Sequence, residues 1–121
     1  MSQGREEFER RLRELGFTVF ASPGEGRTLI EYKVPAGRFA GQVLRLGFEV
    51  PPDFPRSPPG GPHVSPRILP MNPGAPAHPE RTADSIFGSD FQYWSRPFPN
   101  WKERGGAGAY IGWIDRLFET T

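Results

Sequence analysis

The chain has 121 residues, with 15 Lys and Arg against 14 Asp and Glu and no cysteine. That length suits one domain over residues 1–121 with one core, and the near balance of charge leaves no single-sign field that would argue for nucleic acid as the main partner. Without cysteine there is no disulfide, no thiolate nucleophile and no cysteine metal site, and two histidines make a poor ligand set, so neither a metal nor a cofactor is expected.

From Ser2 to Leu15, Phe8, Leu12 and Leu15 fall at i, i+4 and i+7 among charged residues, which predicts an amphipathic helix. Ser2 is the expected N-cap, Glu6 and Glu7 lie near the positive end of the helix dipole, and Gly16 supplies a left-handed stop. The opening residues Met1 to Glu7 are too polar for a signal peptide, and no run approaches the roughly 18 apolar residues of a membrane span. A soluble, cytoplasmic protein with no membrane partner is the expectation.

Phe17 to Ala21 reads as a short strand. Ser22-Pro23-Gly24-Glu25-Gly26 has turn chemistry, and Thr28, Ile30, Tyr32 and Val34 then alternate with Glu31 and Lys33, predicting a hairpin. The clearest strand follows, with Leu44, Leu46, Phe48 and Val50 on one face and Arg45, Gly47 and Glu49 on the other. The prolines from Pro51 to Pro59 exclude a central strand and predict a rigid extended crossover, after which His63 to Ile68 returns as a short edge strand.

Between Leu69 and Trp101 the periodicity is lost, yet Phe87, Phe91, Tyr93, Trp94, Phe98 and Trp101 are concentrated there. A loop of this length inside a small domain is usually functional, and Tyr93, Trp94 and Trp101 carry enough apolar area to anchor it to the body. Ala109 to Glu119 places Ile111, Ile114, Leu117 and Phe118 on one helical stripe. Gly105-Gly106-Ala107-Gly108 lacks the Lys-Ser/Thr of a phosphate loop and reads as a hinge before this last helix. The expected class is α+β: an N-terminal helix, an antiparallel meander of three to four strands, a long aromatic-rich loop and a C-terminal helix, with helices on one side of the sheet.

The stretch from Gly41 to Pro59 resembles the third strand of the ubiquitin-conjugating enzymes and the "P-x-D-Y-P-x-x-P-P" turn after it, with Phe54 in the tyrosine's place. His78-Pro79 resembles the start of the family's His-Pro-Asn motif, and Gln92-Tyr93-Trp94-Ser95-Arg96-Pro97 its Trp-Ser-Pro segment, with His78 and Trp94 16 residues apart as in the family. The likeness runs from the first helix through Trp101. It implies a UBC-like fold and, from the single helix after the tryptophan, a form like the bacterial members, which are associated with a ubiquitin-like protein and an activating enzyme. In the family the first helix contacts the activating enzyme, which makes Arg5, Arg10 and Arg13 the implied contacts here; the interleaved glutamates also allow a plain solvated face.

Two departures bear on chemistry. The family's nucleophilic cysteine, about eight residues after the histidine, falls on Ile86, with Ser85 immediately before it. The motif's asparagine is replaced by Glu80, whose charge opposes an oxyanion. One reading makes Ser85 the acceptor of a ubiquitin-like C-terminus as an oxygen ester, with Ser89 and Thr82 as lesser candidates. A serine needs a base, for which His78, Asp84 and Asp90 are candidates by proximity and His63 through the fold. The alternative is a non-catalytic ubiquitin-conjugating-enzyme variant that binds a ubiquitin-like protein as an adaptor. A third reading is a peptide-binding module with Tyr93, Trp94 and Trp101 lining an aromatic groove.

Overall fold

The computed structural model describes residues 3–20, 26–69, 82–94, 100–102 and 105–120. Helix α1 (Gln3–Glu14) is followed by strands β1 (Val19–Phe20), β2 (Arg27–Lys33), β3 (Val43–Glu49), β4 (His63–Ser65), β5 (Thr82–Asp84) and β6 (Gln92–Trp94), and helix α2 (Gly106–Thr120) closes the series. The expected Ser2 cap, the turn residues Ser22 to Glu25, the motif residues His78, Pro79 and Glu80, and the segment Ser95 to Phe98 lie outside the described residues.

The first helix ends as its glycine predicts. Gly16 adopts φ of 96°, its N–H bonds the Arg13 carbonyl at 3.0 Å, and the Phe17 N–H bonds the Leu12 carbonyl at 3.0 Å. This pair of bonds is a Schellman cap, and the positive φ it needs is inexpensive only without a Cβ. The chain is thereby redirected into β1, and Phe17 packs against the core.

The six strands form one antiparallel sheet in the order β1-β2-β3-β4-β6-β5, so the chain is α+β. Strands β1 to β4 are the expected meander. Two further strands, β5 and β6, lie in the stretch whose periodicity is lost; at three residues each they are too short to show alternation. Their arrival also changes β4, expected at an edge: β6 pairs along its free side, with His63 opposite Tyr93 and Val64 opposite Gln92.

Register sorts the side chains. On the inner face Thr28, Ile30 and Tyr32 of β2 stand opposite Phe48, Leu46 and Leu44 of β3, and Val64 of β4 stands opposite Leu46. All of these are buried. Both helices cover this face: Phe8 of α1 makes edge-on contacts with Phe48, Phe54 and Tyr110 at ring separations of 5.7, 5.1 and 5.8 Å, and Phe118 of α2 meets Tyr32 and Trp94 at 5.2 and 4.8 Å. Helix α2 begins at Gly106, so the glycines expected as a hinge belong in part to its first turn.

The aromatic segment is anchored by buried polar atoms as well as by area. The Gln92 side-chain oxygen accepts from the Ile68 and Leu69 backbone N–H groups and from Trp94 Nε1, at 3.1, 3.0 and 3.1 Å, while Nε2 donates to the Leu69 carbonyl at 2.9 Å. Trp101 Nε1 donates to the Pro55 carbonyl at 2.9 Å, tying the segment to the proline crossover. Trp94 is fully buried against α2, whereas Tyr93, its neighbour on the strand, pairs with His63 on the opposite face. The two rings therefore cannot line one groove, which removes the aromatic-groove reading. Among the described residues no helix is long and apolar enough to cross a membrane.

Candidate functional site

The outer face of the sheet is where the chemistry collects. Along β3 Val43, Arg45, Gly47 and Glu49 point away from the core. His63 of β4 is registered against Gly47, and Arg27 of β2 against Glu49. Beyond β4, Tyr93 of β6 stands opposite His63. A three-residue row from the interior strands thus presents a glycine, an imidazole and a phenol side by side.

Gly47 is the floor of this site. A Cβ built there would lie 2.7 Å from Cε2 and 2.8 Å from Cδ2 of Phe87, distances no side chain tolerates, so the missing side chain is what lets the Phe87 ring settle on the sheet. Phe87 in turn lies 4.7 Å from the His63 ring, and Tyr93 lies 4.6 Å from it. Between these two rings His63 is 3% exposed.

Ser85 follows the last residue of β5 and is half-buried. Its Oγ is 2.7 Å from His63 Nδ1 and accepts the Phe87 backbone N–H at 3.0 Å. On the opposite side of the imidazole, Nε2 is 3.7 Å from Glu49 Oε1. A carboxylate on that side favours the proton on Nε2, which leaves the Nδ1 lone pair to accept the Ser85 hydroxyl proton. Hydroxyl, imidazole and carboxylate thus stand in series, the last being a side chain 58% exposed.

Burial first, and the positive charge of Arg27 second, lower the His63 pKa from its ordinary 6.5 to about 4. The ring is therefore uncharged at neutral pH. Its approach to Glu49 is an orienting contact and no ion pair in that state; its Nδ1 is available as a proton acceptor, though a weak one. Arg27 also reaches over Phe87, with its guanidinium carbon 6.0 Å from the ring centre.

The residues singled out from the sequence separate here. Asp84, although next to Ser85, faces Arg67, whose Nη2 lies 3.4 Å from its Oδ1, and Asp90 accepts from the Ser65 hydroxyl at 3.5 Å. His78 lies outside the described residues. Of the histidine and aspartate candidates for a base, it is His63, 22 residues away in the chain, that the sheet brings to Ser85. Ile86, at the position of the family's cysteine, is 50% exposed.

Glu49, Gly47 and Phe87 carry no motif and were not among the candidates. The signal for two of them is nonetheless in the sequence: a glycine in the middle of a strictly alternating strand marks a place of close approach, and Glu49 shares its face. On α1, Arg5 pairs with Glu9 at 3.0 Å, Arg10 with Glu7 and Glu14 at 2.6 and 2.8 Å, and Arg13 with Glu9 at 3.9 Å. Such i,i+3 and i,i+4 pairs support the helix only weakly. Among the described residues no group of three or more His, Asp or Glu could hold a metal ion. Comparison with known proteins finds no matching family model, no matching curated protein and no matching solved structure.

Proposed function

We propose that this chain is a ubiquitin-conjugating-enzyme-like component of a bacterial ubiquitin-like protein conjugation pathway, working in the cytoplasm with an activating enzyme, and that Ser85 carries the C-terminus of the ubiquitin-like protein as an oxygen ester. The observation that carries the reading is the 2.7 Å contact between Ser85 Oγ and the uncharged, buried His63. The hydroxyl lies next to the position where the resemblance puts the family's cysteine, in the segment between the proline crossover and the buried Trp94. The UBC-like assignment draws on the same features: a first helix, a meander whose third strand runs into the proline signature, and a helix packed on Trp94 at the end.

In this scheme Ser85 Oγ adds to the carbonyl carbon of the activated C-terminus and its proton passes to His63 Nδ1. The bond from that carbon to the thiolate of the activating enzyme breaks, and the departing sulfur takes the proton back from the imidazole. Arg5, Arg10 and Arg13 would meet the activating enzyme by exchanging their intrahelical glutamate partners for acidic groups of that surface.

A second reading, the non-catalytic adaptor, is favoured by one specific observation. The Phe87 N–H that bonds Ser85 Oγ closes an ordinary hydroxyl turn, so the serine has a structural use without chemistry. The experiment is to combine the chain with the ubiquitin-like protein and activating enzyme of its own genome and ATP, then to follow the product on reducing gels. An adduct that survives reductant, is cleaved by mild base and is lost in Ser85→Ala supports the ester. Binding of the ubiquitin-like protein with no adduct sinks it in favour of the adaptor.

A further inference from the structure

The same site has the parts for acyl chemistry without any protein partner. Its base is fixed on an interior strand, clamped between the Phe87 and Tyr93 rings at 4.7 and 4.6 Å, and its hydroxyl is half-exposed on the turn beside it. A base held by packing and a nucleophile open to solvent is the arrangement that a small acyl donor can reach while the proton path stays aligned. Glu49, exposed at the far nitrogen, lies where positive charge would develop on the ring.

We propose that the chain hydrolyses small activated esters, aryl esters of short carboxylic acids, through an acyl ester on Ser85 with His63 as the proton carrier and Glu49 as its positioning residue. This rests on Ser85 being the nucleophile of the reading above, but on no part of that reading that concerns ubiquitin-like proteins. Ser85 Oγ adds to the ester carbonyl carbon as its proton moves to His63 Nδ1; the bond to the aryloxy oxygen breaks, and the phenol leaves with that proton. Water then adds to the acyl carbon and gives a proton to Nδ1. The carbon to Oγ bond breaks, the carboxylic acid is released, and Ser85 recovers its proton from the imidazole. Atoms and charge balance over the cycle, and water is the sole co-reactant.

The pH profile follows from the surroundings of the ring. Arg27 and Glu49 face it from β2 and β3, Tyr93 from β6 and Ser85 from the turn, and the buried imidazole stays uncharged down to about pH 4. Exposed histidines that react adventitiously with such esters lose activity as pH falls through about 6.5; turnover at this site holds its rate well below that.

The test uses the whole chain with p-nitrophenyl acetate and two readouts. Nitrophenol release is followed from about pH 5 to 8 for the parent, Ser85→Ala and Glu49→Gln, with each variant's melting curve recorded, and acetyl-protein trapped by acid quench is mapped by peptide mass. The expected result is acetyl on Ser85, release reduced about a hundredfold by Ser85→Ala and about two- to fivefold by Glu49→Gln, with no inflection near pH 6.5. Acetyl found on lysines or elsewhere, or equal release from Ser85→Ala, overturns the proposal; because the mapping is done on the parent, a misfolded variant does not blunt it. Small-ester turnover without a ubiquitin-like adduct leaves this inference standing and removes the partner reading, whereas an adduct without turnover does the reverse.

Discussion

Acid sensitivity is the sharpest consequence of the His63 environment. In the folded chain the imidazole titrates at about 4, against 6.5 when unfolded. Between those values the unfolded chain binds a proton that the folded chain does not, so stability rises with pH in that window. The contribution is fully present above about pH 6.5, is lost progressively as pH falls, and reaches its limit near pH 4. Linkage sets the full loss at about 3 kcal/mol and the loss at pH 5 at about 2 kcal/mol. Acid unfolding sums contributions from the whole chain, so the quantity to measure is a difference. Urea unfolding of the parent and of His63→Gln is compared at steps from about pH 7.5 to 5, where all shared groups cancel. The parent should lose about 2 kcal/mol more than the variant over that span. Parallel pH slopes, or an NMR titration of the parent placing the His63 ring near 6.5, would refute the argument that burial and Arg27 hold the ring neutral.

Two further predictions concern what holds the site. Gly47→Ala forces a Cβ into the Phe87 ring; the expected loss is about 1–3 kcal/mol by urea unfolding, with the displaced ring opening His63 to water and moving its NMR pKa up toward 6.5. Gln92→Leu leaves the Ile68 and Leu69 N–H groups, the Leu69 carbonyl and the Trp94 indole without the bonds Gln92 makes to them. A loss of at least about 3 kcal/mol is expected, and a near-neutral result would mean that water or a shift of the 68–69 backbone satisfies those groups.

The elements that were legible in the sequence are those whose burial is one-sided over several residues. The alternation from Leu44 to Val50 survives because the inner members of β3 face two helices and the outer ones do not, and Phe8 and Leu12 of α1 are buried for the same reason, whereas Leu15, third in the expected stripe, lies past the end of the helix and is 52% exposed. Strands β5 and β6 were not legible: Thr82-Ala83-Asp84 has no apolar alternation, and β6 opens on Gln92, a fully buried amide whose position makes sense only once its bonds to Ile68, Leu69 and Trp94 are drawn. That it is His63, among the candidates, which meets Ser85 has a topological reason. Spacing along the chain favours groups near Ser85, such as Asp84 and Asp90, whereas the insertion of β6 beside β4 carries Ser85 back to His63.

That topology also recasts what the absent cysteine demands. A thiol, with a pKa near 8.5, supplies some of its own thiolate at neutral pH; a serine hydroxyl does not, and can act as a nucleophile only beside an acceptor for its proton. Here the acceptor is 3% exposed, uncharged at neutral pH, flanked by two aromatic rings and covered by Phe87, whose ring rests on a strand glycine where a Cβ would displace it. The decisive group is therefore His63 more than Ser85: a turn serine is replaceable by many residues, whereas an imidazole in that slot forgoes its charge and its hydration, a sacrifice the 2.7 Å bond to Ser85 only partly offsets.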